Sequence, residues 1–128
     1  MKKRAFLFFF LLAVSFFTLF FFQSISRQKV KILYFRNGKC RLVYNTDKLI
    51  EEAKKAFDGK IDVKIYNVSL YSSDPPDPPE VKALREKYNV WGVPTVIING
   101  KEFRKSFTRE NLFKMICNNF IVKPEVCK

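Results

Sequence analysis

The chain has 128 residues, with 24 lysines and arginines against 12 aspartates and glutamates, three cysteines and no histidine. Setting aside a hydrophobic N-terminus leaves roughly a hundred residues, one domain of common size with a modest core and no room for a second. The lack of histidine excludes Ser-His-Asp and Cys-His catalysis and most zinc sites, so neither a metal nor a cofactor is expected; the basic residues stand singly or in short groups, without the long basic run of a nucleic-acid arm, and no nucleic-acid partner is expected.

Ala5 to Phe22, AFLFFFLLAVSFFTLFFF, runs for eighteen residues without a charge, with Ser15 and Thr18 as polar interruptions. That length reaches the lower limit of a transmembrane helix and exceeds the apolar core of a secretory signal, about 7–15 residues. Residues 1–28 are therefore expected to form a signal anchor and a short linker, with cleavage after Ser26 as the route to a secreted form. Lys2, Lys3 and Arg4 balance Arg27, Lys29 and Lys31 across the run. A short basic tail directly before the span is the layout that keeps its positive end in the cytoplasm and sends the remainder across. A single-pass protein of the cell membrane with an extracytoplasmic domain follows, in a compartment that permits disulfides.

Lys29 to Phe35, KVKILYF, reads as a buried first strand closed by the Asn37-Gly38 turn. Leu49, Ile50, Ala53, Ala56 and Phe57 then recur at helical spacing before the Asp58-Gly59 stop, so a helix follows Cys40, beginning somewhere between Arg41 and Thr46. Ile61 to Val68 alternates as a half-buried strand does. SSDPPDPPE, residues 72–80, has too many prolines for regular hydrogen bonding and reads as a stiff connection; Asp77 and Glu80 have the spacing of a capping box for a helix whose apolar stripe is Val81, Leu84 and Tyr88. Val93 to Phe103 holds two β-rich runs joined by Asn99-Gly100, a strong hairpin signal. Thr108 caps a last helix with Leu112, Phe113, Ile116, Cys117 and Phe120 on one face, and residues 121–128 form a tail. The order is β-α-β-α-β-β-α after the membrane helix, an α/β chain whose first half implies parallel strands and whose second half adds an antiparallel hairpin.

That order, with a cysteine just after the first strand and Val-Pro-Thr opening the third, resembles the thioredoxin superfamily. YNVWGVPTVIING, residues 88–100, is the most specific stretch. The resemblance covers residues 29–120 and implies a thioredoxin-like fold with a cis Val93–Pro94 bond. It further implies that the Val93-Pro94 loop packs against an active cysteine and that the backbone of Val93 pairs with an extended substrate segment. Trp91, beside that loop, is a candidate lining residue of the substrate groove, or else partial core. The spacing from Phe35 to Cys40 is that of the family's nucleophile, which puts Val43 where a C-x-x-C motif has its second sulfur and Tyr34 where thioredoxin has a buried acid.

A disulfide reductase with one thiol can attack a disulfide, but release from the mixed disulfide then waits for an external thiol. At a helix N-terminus, and beside Lys39 and Arg41, Cys40 is expected to favour its thiolate form, the two basic residues tuning it. The expectation is a monothiol thiol-disulfide oxidoreductase whose partners are client protein thiols or disulfides and an external thiol reductant or partner oxidoreductase. The alternatives are a non-catalytic thioredoxin-like binding module that keeps the cis-proline groove, and an anchor whose basic surface gathers anionic lipid or acidic partners. Cys117 and Cys127, ten residues apart around Asn118-Asn119 and Pro124, form a natural disulfide in an oxidising compartment; the other reading is a buried core cysteine and a free tail thiol.

Overall fold

The computed structural model describes residues 2–26 and 28–128, with side chains described for 7–24 and 28–128. The flanking charges of Lys2, Lys3, Arg4 and Arg27, and the cleavage expected at Ser26, lie outside the described side chains. α1, Lys2–Ser26, contains the uncharged, predominantly apolar stretch Leu7–Ser24, none of which is buried against the rest of the chain. At 1.5 Å per residue its 25 residues extend about 38 Å, enough by length and composition to cross a bilayer.

The sheet is built outward from β1, Val30–Arg36. It pairs in parallel with β2, Ile61–Asn67, from Val30↔Ile61 to Arg36↔Asn67, and antiparallel with β3, Thr95–Ile98, from Ile32↔Ile98 to Phe35↔Thr95. β4, Lys101–Glu102, closes the hairpin, giving the order β2-β1-β3-β4. Asn99 and Gly100 both take positive φ, 46° and 82°, as a two-residue hairpin turn with the twist of its strands requires.

The alternation of side chains along β1 divides the core into two layers. Val30, Ile32 and Tyr34 face α2, Val43–Ala56, and α4, Arg109–Cys117, where Leu49, Ile50, Ala53, Phe57, Leu112 and Ile116 are buried with them. Phe35 and Ile97 belong to the other layer, with Val81, Leu84 and Tyr88 of α3, Pro79–Tyr88. Phe57 is the hinge of the larger cluster, its ring 5.1 Å from that of Phe113 and 6.1 Å from that of Phe120.

Local signals account for most element ends. Thr108 Oγ1 accepts the Asn111 N–H at 3.3 Å and caps α4, and Gly59 takes φ 67° past the end of α2. The capping box expected at Asp77 does not form. Pro78 occupies the cap position of α3, and Asp77 instead accepts the Ser69 N–H at 2.6 Å and pairs with Arg85 at 2.5 Å. The tail is held to the domain: Cys117 and Cys127 are bonded, Cys127 packs against the larger cluster, and the Gln28 side chain donates to the Asn119 carbonyl and accepts the Ile121 N–H.

Candidate functional site

Beyond the end of β1 the chain turns through Asn37 and Gly38, and the Cys40 N–H donates to the Asn37 carbonyl at 3.0 Å. The Cys40 carbonyl then accepts the Val43 N–H and that of Arg41 accepts the Tyr44 N–H, each at 3.2 Å, so Cys40 lies one turn ahead of α2. Its thiol is free and partly exposed. It lines an open cleft of about 430 Å³ with Arg36, Lys39, Arg41, Tyr44 and Asp47 among its walls. Val43, three residues on and one turn away, is a buried apolar side chain.

One side of the cleft is a chain of polar contacts. Tyr34 is fully buried and donates its phenol to Asp47 Oδ1 at 2.7 Å, while the other oxygen of Asp47 pairs with Arg36 at 3.0 Å. Burial first, and then the hydrogen bond to Asp47 and its negative charge, push the Tyr34 phenol well above its usual range. The acid near the cysteine thus comes from α2, while the strand contributes a neutral hydroxyl.

The turn bearing Cys40 is fixed to the loop after β2 by Asn37 and Asp74. Asn37 Nδ2 donates to the Val68 carbonyl and to Asp74 Oδ2, both at 2.8 Å, and Asn37 Oδ1 accepts the Lys39 N–H at 2.9 Å. Asp74 also accepts from Lys39 Nζ at 2.5 Å and from the Leu70 and Tyr71 N–H groups at 3.0 Å. Lys39 first, then the two backbone donors, hold the Asp74 carboxyl far below the usual carboxylate range. This changes the part expected of Lys39: its ammonium is engaged by Asp74 and Ser73. Arg41 is exposed and has no ion pair among the described residues, so it is the basic neighbour of Cys40 without a counter-charge.

The Val93–Pro94 peptide bond is cis. Because Thr95 is paired with Phe35, the bond lies at the same end of the sheet as Cys40, although neither Val93 nor Pro94 is among the walls of the Cys40 cleft. Trp91 does not enter that cleft or the core. It is 81% exposed, donates Nε1–H to Asn89 Oδ1 at 2.6 Å, and borders a separate depression of about 310 Å³ beside α3 with Asp77, Arg85 and Val90. Cys117 and Cys127 are joined, with Cα atoms 5.6 Å apart, which leaves Cys40 as the free thiol.

Sequence reasoning missed Arg36, Asn37, Asp47 and Asp74. Asp47 follows Val43 by one helical turn, a spacing that puts an acid beside the apolar face of α2 and could have been noticed. Asp74 gave no comparable sign, because a proline-rich segment has no periodicity to place its side chains.

A thiol:disulfide interchange protein from Bacteroides sp. superposes with a TM-score of 0.54 at 16% identity, over 77% of this chain and 78% of its own. A malarial protein superposes with a TM-score of 0.53 at 18% identity, over 74% of this chain and all of its own. Thioredoxin 1 from Thermosipho africanus TCF52B is 27% identical over 67% of this chain and 89% of its own, with a TM-score of 0.47. No family model matches the chain, and no curated protein matches it. By sheet order, by the helices on its two faces and by the first two superpositions, the chain has the thioredoxin-like fold.

Proposed function

We propose that this is a membrane-anchored thioredoxin-like protein that acts as a monothiol in thiol-disulfide exchange through Cys40. The observation that carries the reading is a free, partly exposed thiol at the mouth of a cleft, at the end of the sheet that also bears the cis peptide, while the other two cysteines are bonded to each other. The Cys40 thiolate attacks one sulfur of a client disulfide. A new S–S bond forms, the client S–S bond breaks, and the second client sulfur leaves as a thiolate that takes a proton from solvent. With Val43 in the resolving position, an external thiol must attack the Cys40 sulfur of the mixed disulfide: the client leaves as a thiolate that takes a proton from solvent, a new S–S bond joins Cys40 to the external thiol, and a second external thiol then frees Cys40 as the external disulfide forms. The backbone of Val93 supports the client segment, and Arg41 favours clients with acidic residues beside the reactive cysteine. α1 remains uncleaved and holds the domain outside the cytoplasm.

The buried Val43 and the absence of an acid at Tyr34 favour a second reading, a binding module that uses the cis-proline groove without redox chemistry. Partner capture by the full chain and by Cys40→Ser, run with and without reductant, separates the two. Loss of a reductant-sensitive partner in the variant supports exchange; unchanged capture assigns the binding module.

A further inference from the structure

The end of the sheet opposite Cys40 has a surface that thiol exchange does not use. Residues 27–29 alone separate α1 from β1, a covalent reach of at most about 14 Å, so whatever surface α1 enters lies close to the start of β1. The described residues there include exposed lysines and apolar side chains, with Asp58 and Asp62 exposed on either side of Lys60. Gln28 ties Asn119 and Ile121 to the start of the domain, and Lys60, whose carbonyl accepts the Val30 N–H at 3.1 Å, lies beside it. Gln28, Lys60, Val122 and Lys123 share the walls of a cavity of about 370 Å³, whose side-chain carboxylate, Glu125, is paired with Lys128. Ile121 is 73% and Val122 65% exposed, two adjacent apolar side chains with the tail fixed behind them by the disulfide. Lys29, Lys60 and Lys123 are exposed and have no ion pair among the described residues.

We propose that this face docks on the surface of an anionic phospholipid bilayer, the one that α1 enters, with Ile121 and Val122 in the interfacial layer and Lys29, Lys60 and Lys123 on lipid phosphates. The proposal rests on the reading of α1 as an uncleaved anchor. Apolar side chains flanked by unpaired lysines match the headgroup boundary, where apolar groups enter the acyl edge and cations meet phosphate. The tether adds to this by holding the face at high local concentration. Docking sets the direction of the active cleft: β1 advances about 23 Å over its seven residues, so Cys40 faces away from the membrane, toward soluble clients.

Trp91 is the single tryptophan and lies at the Cys40 end of the sheet, so it reports on the far side of the domain. The full chain, the double variant Trp91→Phe/Val122→Trp and the double variant Trp91→Phe/Phe16→Trp are reconstituted in vesicles of brominated phosphatidylcholine with about three parts in ten phosphatidylglycerol. Docking predicts quenching at positions 16 and 122 and little at Trp91. Adding Lys60→Gln or Lys123→Gln to the position-122 reporter lowers its docked-to-free ratio by about fivefold each, and molar salt, which shortens screening to about 3 Å, lowers it as well. Quenching at 16 with none at 122 overturns the docking and leaves the anchor standing. No quenching at either position overturns the anchor and the docking together.

Discussion

Asp74 accepts from Lys39, from Asn37 and from the Leu70 and Tyr71 N–H groups, so it keeps its charge in the fold at a pH where an unfolded chain would protonate it. Its folded value is depressed, so its contribution to stability is complete above the unfolded carboxyl range near about 4 and is lost as pH falls below it. Asp74→Asn is therefore expected to unfold at lower urea than the native chain at neutral pH, with the two midpoints converging as the pH drops below about 4; a gap independent of pH would contradict the assignment. Tyr34 is the opposite case. Its phenol is held up by burial first and then by Asp47, so the fold keeps a proton that the unfolded chain gives up above about pH 10, and stability falls as pH climbs past that point. Asp47→Asn removes the charge but not the burial. Ultraviolet titration should show the slowest tyrosine shifting downward while remaining above its ordinary range. The same change leaves Arg36 without its counter-charge and is expected to cost about 1–2 kcal/mol, discounted for the partial exposure of the pair.

Packing between elements decides which parts of the sequence were legible. In the α2 pattern Leu49, Ile50 and Ala53 are buried at the expected helical spacing while Ala56 is exposed, and this pattern and the Asn99-Gly100 hairpin were readable because one local period or one turn fixed them. Phe57 follows from the same pattern, and its rings against Phe113 and Phe120 join α2 to the C-terminal part. Phe57→Ala should cost about 3–5 kcal/mol in urea unfolding. The Cys117–Cys127 pair was readable from spacing and compartment; opening it with Cys127→Ser is expected to cost about 2–3 kcal/mol, measured against the native chain under non-reducing conditions. The surroundings of Cys40 were only half legible. Cys40, Arg41 and the Val93-Pro94 loop stood out in sequence, but the pairing of Lys39 with Asp74 joins residues 35 apart through a loop with no periodicity, and no local signal reports it. Asp77 misled for a related reason: its partner Arg85 and the Ser69 N–H draw it away from the cap of α3.

At the scale of the molecule, a helix able to cross a bilayer is joined by three residues to a domain whose end bearing exposed lysines and apolar side chains is next to that junction and whose free thiol is at the other end. Under the proposed reading, a monothiol in this position acts on clients that approach from the aqueous side and hands the second half of the exchange to another thiol. The most direct test is to incubate the full chain in vesicles with a disulfide-bonded client peptide, quench with acid, and locate the mixed disulfide by mass spectrometry without reduction. The account predicts one client adduct, on Cys40, with Cys117 and Cys127 still joined, no adduct in Cys40→Ser, and release of the client when an external thiol is added. An unmodified Cys40 under those conditions, or client capture that survives Cys40→Ser, would contradict it.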